Sequence, residues 1–210
     1  PGARIVVIED SAELQLQQEH VISLEARWPD QYGRGEVTIR DLFRSSLRLR
    51  PDRIIIGEVR GGEALDMIQA MTSGHGGSMG TLHANNPADA LNRLETMALM
   101  SKVELPLHAL RAQVSSAIDI VVQTSRHIGG RRLVSQISEI DPVDVNGRYQ
   151  LRDVFAMRPV VDKKGRKGMQ LKPTGVRSAM AGLLRGNAAR VVTDLTKAIF
   201  TPAAEPTNAG

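Results

Sequence analysis

The stretch Arg50-Pro51-Asp52-Arg53-Ile54-Ile55-Ile56-Gly57-Glu58-Val59-Arg60-Gly61-Gly62 decides the fold. Three consecutive β-branched aliphatics with no polar alternation suit a strand buried on both faces of a parallel sheet. The run stops at Gly57-Glu58. A carboxylate just past the carboxyl end of a buried strand lies where open α/β sheets take their ligands. Taken alone, the same residues also fit a strand that ends at a solvated glutamate.

On the N-terminal side, Ile5-Val6-Val7-Ile8 is a second uninterrupted apolar run, and it too ends in acid, Glu9-Asp10. Two such strands point to a shared site, although Asp10-Ser11 would also serve as a helix cap. Residues 11–37 read as irregular, with a short strand at Val21–Leu24 and a glycine-flanked loop carrying Arg27 and Arg34. Thr38 to Leu49 reads as a helix with Thr38 as N-cap and Asp41 at the positive end of the dipole. Ile39, Leu42, Phe43 and Leu47 form its buried face, and Arg40, Arg44 and Arg48 line another. A solvated stripe is the expectation for that arginine row, above all for Arg40. Pro51 stops the helix before the central strand.

On the C-terminal side, Gly61-Gly62 turns into a helix with Ala64, Leu65, Ile68 and Met71 inward and Gly74 as C-cap. A glycine-rich turn, a short strand and a histidine follow in Gly74-His75-Gly76-Gly77-Ser78-Met79-Gly80-Thr81-Leu82-His83-Ala84-Asn85. His83 is the third polar group delivered to a strand end. A metal hydrolase built on His75 and His83 is disfavoured, because neither their spacing nor a third nearby ligand matches a zinc pattern. Asn86-Pro87 opens a helix, as N-cap and first helical residue, with Ala90, Leu91, Leu94 and Met97 inward. Pro106 opens another, with Leu107, Leu110 and Val114 as its stripe. Ile118–Val122, Arg132–Ile140 and Arg148–Met157 are strand-like, the last two around Asn146-Gly147. Val176–Leu184 fits a short helix.

The 210 residues suffice for one core with an appendage. The predicted organisation is a core over 1–125, a β-containing C-terminal appendage over 126–200, and a disordered tail over 201–210. Aromatics make up only 3% of the chain, which argues against a base-stacking nucleic-acid platform. The absence of cysteine excludes disulfides and thiolate chemistry and fits a reducing compartment. No apolar run approaches a membrane span of about 20 residues. The net charge of +4 has much of its excess in Lys163, Lys164, Arg166, Lys167 and Lys172. That cluster is either a solvated turn or a weak patch for acidic lipid or a partner protein.

The ordered series of strand–acid, arginine helix, strand–Gly-Glu, helix and strand–His resembles the type II/type IV secretion-system traffic ATPases. Ile8–Leu14 is similar to the family's Asp box, Ile54–Arg60 to its atypical Walker B, and Gly74–Asn85 to its His box. Gly35–Leu42, Leu151–Phe155 and Thr174–Arg177 resemble the tight-adherence (Flp-type) pilus branch. The resemblance runs from about Arg4 to about Leu184. It implies a RecA-like P-loop NTPase core, α/β with a mostly parallel sheet, hydrolysing ATP with Mg²⁺ between subunits of a hexameric ring. Glu58 would polarise the attacking water. Glu9 would help hold Mg²⁺, with Glu58 beside it, and Gly57 stands where many NTPases have a metal-binding aspartate. His83 and His75 would sense the terminal phosphate, Arg60 would join the nucleotide site, and Arg34 and Arg48 would reach a neighbour's phosphates. The implied setting is the cytoplasmic face of the inner membrane, with secretion or pilus platform proteins as partners and no nucleic acid.

One departure is large. No G-x-x-x-x-G-K-[ST] occurs in the 210 residues, and the glycine-rich 74–80 stretch has no lysine and follows a helix. In the family that loop lies just before the segment matching Arg4. The expectation is therefore the C-terminal part of a motor, incomplete at its N-terminal side and inactive by itself. It would be a truncated product, a gene fragment or half of a split protein. The alternative is a non-catalytic assembly subunit contributing residues in trans to ATPase partners.

Overall fold

A computed structural model describes residues 2–127, 130–161, 165 and 167–182. The chain forms two compact units, Pro1–Ile118 with Pro142–Tyr149, and Asp119–Asp141 with Gln150–Gly210. The expected boundary at residue 125 falls inside a strand of the second unit.

The first unit is built on a parallel sheet. Its strands are β1 (Ile5–Glu9), β2 (Val21–Glu25), β3 (Arg53–Ile56) and β4 (Met79–Gly80), ordered β2-β1-β3-β4. Every residue of β1 is buried, as are Ile54, Ile55 and Ile56 of β3. This is the burial that an unbroken aliphatic run requires of a strand covered on both faces. Ile8 lies opposite Ile56, so the two strands end level.

Four helices accompany the sheet: α1 (Ile39–Ser46), α2 (Glu63–Thr72), α3 (Pro87–Leu99) and α4 (Leu107–Ala117). Thr38 and Asp41 form a reciprocal capping box at the start of α1, and the helix tightens into a 3₁₀ turn at Leu47–Leu49. Arg40 is not solvated as expected. It donates to Asp66 of α2 at 2.6 Å and to the Ser101 carbonyl at 3.3 Å, and Arg44 takes the other Asp66 oxygen at 3.1 Å. The α1 arginine row therefore fastens one helix to the next. Helix α2 begins hard against the turn after α3, since a Cβ on Gly62 would lie 2.9 Å from the Ser101 Cα. It ends at Ser73 rather than Gly74, and Gly74 follows with φ +107°. Asn86 caps α3 by accepting from the Asp89 N–H.

The second unit is an antiparallel sheet of β5 (Ile120–Arg126), β6 (Arg132–Asp141), β7 (Gln150–Val161) and β8 (Lys167–Pro173), in that order. Strand β7 is longer than Arg148–Met157 suggested, and β8 was not anticipated. The last described turn is a 3₁₀ segment at Ala179–Gly182. Buried Glu139 ties it down, accepting from the Ala179 N–H at 2.8 Å and from Ser178 Oγ, and pairing with Arg152 at 3.2 Å. Lys163, Lys164 and Arg166 of the basic cluster, and the 201–210 tail, lie outside the described residues.

Among the described residues no helix is long and apolar enough to cross a membrane.

Candidate functional site

Three parallel strands end at one edge of the first sheet, and each delivers a polar side chain there. Glu9 is the last residue of β1 and is buried. Its Oε1 accepts from the N–H groups of Glu13 and Leu14 at 3.2 and 3.1 Å, which holds the carboxylate in place. The Glu9 side chain lies across Gly57, just past β3. No side chain would fit there without displacing it.

Glu58 follows. Its Oε2 accepts from Arg60 Nη2 at 2.7 Å, and its Oε1 lies 3.4 Å from His83 Nε2. The other terminal nitrogen of Arg60, Nη1, donates to Asp10 Oδ2 at 2.7 Å. Arg60 thus bridges the acids that end β1 and β3. The Arg60 hydrogen bond holds the Glu58 carboxyl below its ordinary value, helped by the charges of Arg60, His83 and Arg93 and opposed by burial. His83 is mostly exposed, and so stands on the open side of the cluster.

Glu63, not singled out in the sequence, fixes the backbone that carries this arrangement. It is buried, and its Oε1 accepts from the N–H groups of Arg60 and Gly61 at 2.7 and 2.8 Å. Glu63 is the first residue of α2, and its side chain reaches back to the turn that precedes the N-cap, Gly62. That spacing, Arg60 to Glu63, was the available signal.

The remaining predicted residues are not gathered there. His75 precedes β4 while His83 follows it, and β4 runs parallel to β3. The two histidines therefore sit at opposite ends of the sheet. Ser78, between His75 and β4, accepts on its Oγ from the Ile54 N–H near the start of β3. The His75 Nδ1 is buried without a hydrogen-bond partner. Arg48 is exposed in the 3₁₀ turn that leads toward β3, at the end away from Glu58. Arg34 is exposed on its loop, 3.6 Å from Asp30 and with its guanidinium 5.0 Å from the Tyr32 ring centroid.

Among the described residues no group of three His, Cys, Asp or Glu side chains is placed to hold a metal ion. His75 and His83, on either side of β4, are not brought together. Mg²⁺ asks less of a protein, because it is commonly held by one or two carboxylates together with substrate phosphates and water. Glu9 fits that role as a fixed, hard-oxygen donor at the strand edge. Glu58 has its two oxygens beside Arg60 and His83, and fits it less well.

Comparison with known proteins gives the family. The profile of the type II/IV secretion system protein family matches residues 1–178. The type IV secretion system protein PtlH of Bordetella pertussis is 43% identical over 143 residues, covering 65% of this chain and 42% of that protein. The conjugal transfer protein TrbB of Rhizobium radiobacter is 37% identical over 150 residues, covering 71% and 42%. Among solved structures, the VirB11 ATPase of the Brucella suis type IV secretion system, in complex with sulphate, superposes with a TM-score of 0.57 at 32% identity. That match covers 69% of this chain and 42% of VirB11. The chain spans about two fifths of the length of these curated relatives.

Proposed function

The chain belongs to the type II/IV secretion system protein family, and on that premise we propose that it is the water-activating part of an ATP-hydrolysing motor that drives protein export or pilus assembly. The observation that carries this is the run of contacts from Asp10 through Arg60 and Glu58 to His83 at one strand edge.

In this proposal Glu58 orients the attacking water and accepts its hydrogen bond. To do so it must exchange the Arg60 guanidinium for water, and Arg60 is then free to turn to phosphate oxygens. His83, on the open side, meets the terminal phosphate. Glu9, pinned by two backbone N–H groups, is the residue that would hold Mg²⁺, directly or through water. Mg²⁺, when bound, neutralises charge on the β- and γ-phosphates. A phosphate cradle of backbone N–H groups and a lysine is also needed. Residues 1–210 contain no motif of that kind, so it comes from polypeptide outside them.

The proposed setting is a homo-oligomeric ring on the cytoplasmic face of the inner membrane, in the tight-adherence or the conjugation branch. Arg48 favours a role between subunits, because it sits at the sheet end away from Glu58 and reaches a phosphate only in a neighbour's site. Arg34, exposed on its loop, is the second arginine available for that. A subunit acting only in this way, without catalysis of its own, is the competing proposal.

The two are separated by Mg²⁺-dependent ATP hydrolysis in mixtures of this chain with a P-loop-bearing member of the family. Stimulation that Glu58→Gln abolishes supports the first proposal. Stimulation that survives Glu58→Gln and is lost in Arg34→Ala or Arg48→Ala overturns it in favour of the second.

A further inference from the structure

The first unit holds an open cavity of about 780 Å³ beside the Glu58 cluster. Its walls include Arg60, His83 and Asn85, together with Asp89, Asn92 and Arg93 of α3. Asp89, Asn92 and Arg93 fall at i, i+3 and i+4 on α3, so one polar stripe of the helix faces the space. The volume is in the range of small-molecule sites.

The charges around this space are unequal. Arg60 and Arg93 are permanently cationic, and His83 adds donor capacity. The one carboxylate in the wall, Asp89, is already engaged by Asn86. Asn86 Nδ2 donates to Asp89 Oδ2 at 2.8 Å, and the Asp89 N–H donates to Asn86 Oδ1. Arg93 is exposed, and among the described residues it makes no ion pair. Arg60, the other arginine of the wall, is paired with Glu58 and Asp10. The positive charge of Arg93 is felt at Glu58.

We propose that Arg93 is a further phosphate-contacting residue, which together with Arg60 and His83 lines this cavity around the oligophosphate tail of a nucleoside triphosphate. The naming of a nucleotide rests on the motor function proposed above; the binding of an oligophosphate does not. Arginine suits the task because its planar fork offers paired donors to neighbouring phosphate oxygens. Arg60 and Arg93 enter from different elements, so a chain of phosphates can be held at two points where a single phosphate is held at one.

The test uses the purified 210-residue chain, with calorimetric titration of sodium tripolyphosphate and of inorganic phosphate at low salt. Saturable tripolyphosphate binding is expected, at least tenfold tighter than inorganic phosphate. Arg93→Ala should weaken it tenfold or more and Arg93→Lys less, while Arg158→Ala, at an exposed position of β7 in the other unit, should leave it unchanged. In NMR spectra of labelled protein, tripolyphosphate should shift the His83 and Asn92 side-chain signals in the wild type, and much less in Arg93→Ala. The proposal is overturned by no saturable binding, by equal affinity for inorganic phosphate, or by Arg93→Ala binding as well as wild type. Loss of binding in Arg93→Ala, without Glu58-dependent hydrolysis in the mixtures above, would uphold the oligophosphate site and remove the motor function alone.

Discussion

A Cβ placed on Gly57 would lie 2.8 Å from the Cγ of Glu9. The Gly57 N–H donates to the Ile8 carbonyl at 2.8 Å, so the backbone at the end of β3 is hydrogen-bonded to the residue before Glu9. The acid that ends β1 therefore occupies the space that a side chain at 57 would need. The glycine at 57 and the buried glutamate at 9 are thus one steric arrangement.

Gly57→Ala should accordingly destabilise the fold by about 1–3 kcal/mol, the usual cost of overpacking a tight site. Glu9→Ala removes the obstructing atoms but also the acceptor for the Glu13 and Leu14 N–H groups, and should be destabilising in its own right. The double variant should lose less than the sum of the two, with a coupling of about 0.5–3 kcal/mol. Urea unfolding of the four proteins measures this, and strict additivity would contradict the contact.

Arg60 favours the ionised form of Glu58. Its hydrogen bond is the largest influence lowering the Glu58 carboxyl from its ordinary value of 4.5. In Arg60→Gln the Glu58 titration, followed by carbon-13 NMR of the side-chain carboxyl, should move upward. The stability consequence has a fixed sign. A carboxyl whose folded value is depressed contributes stability that is present above its unfolded value and lost as pH falls through the folded value. The stability advantage of wild type over Arg60→Gln should thus be present at pH 7 and shrink below about pH 4. An advantage that grows on acidification would contradict the pairing.

Glu63→Ala should cost about 1–3 kcal/mol, because the Arg60 and Gly61 N–H groups lose their acceptor in a partly buried turn. Glu63→Gln keeps one acceptor oxygen and should recover part of that loss. Thermal unfolding of the two variants ranks them. A Glu63→Ala protein as stable as wild type would mean that the turn is held by something else.

Legibility in the sequence followed locality. Strands β1 and β3 could be read because an unbroken Ile/Val run has few alternatives, and the acids that end them were visible in the same few residues. The capping residues Thr38 and Asn86 were equally local. The Arg40–Asp66 pair spans 26 positions, and nothing in the α1 pattern distinguishes an arginine that binds the next helix from one in water. His75 and His83 bracket a strand in sequence, which suggested a pair. A two-residue strand between them separates them to opposite ends instead. Strand β8 was missed because Lys167–Pro173 is largely polar and exposed, without the alternation that marks a half-buried strand.

The last relationship with a measurable consequence lies away from the site. Glu95 of α3 is buried and receives three donors: Arg111 Nε at 2.8 Å, Arg111 Nη2 at 3.3 Å and the Tyr149 hydroxyl at 3.1 Å. Glu95 is two residues from Arg93 on the same helix, so this network fixes the helix that carries the proposed phosphate contact. Glu95→Ala leaves the Arg111 charge and the Tyr149 hydroxyl without their acceptor. It should be the most destabilising of the single changes here, at about 2–4 kcal/mol. Tyr149→Phe removes one donor and keeps the ring, and should cost about 1 kcal/mol. Burial, then the Glu95 charge and hydrogen bond, push the Tyr149 hydroxyl above its ordinary value of 10.0. For a group with a raised value, the linked stability is present below the unfolded value and lost as pH rises through the folded one. Wild type should therefore lose stability relative to Tyr149→Phe as pH rises above about 10. Thermal unfolding of the pair between pH 7 and 11 measures it, and a constant difference across that range would show that the hydroxyl is not held by Glu95.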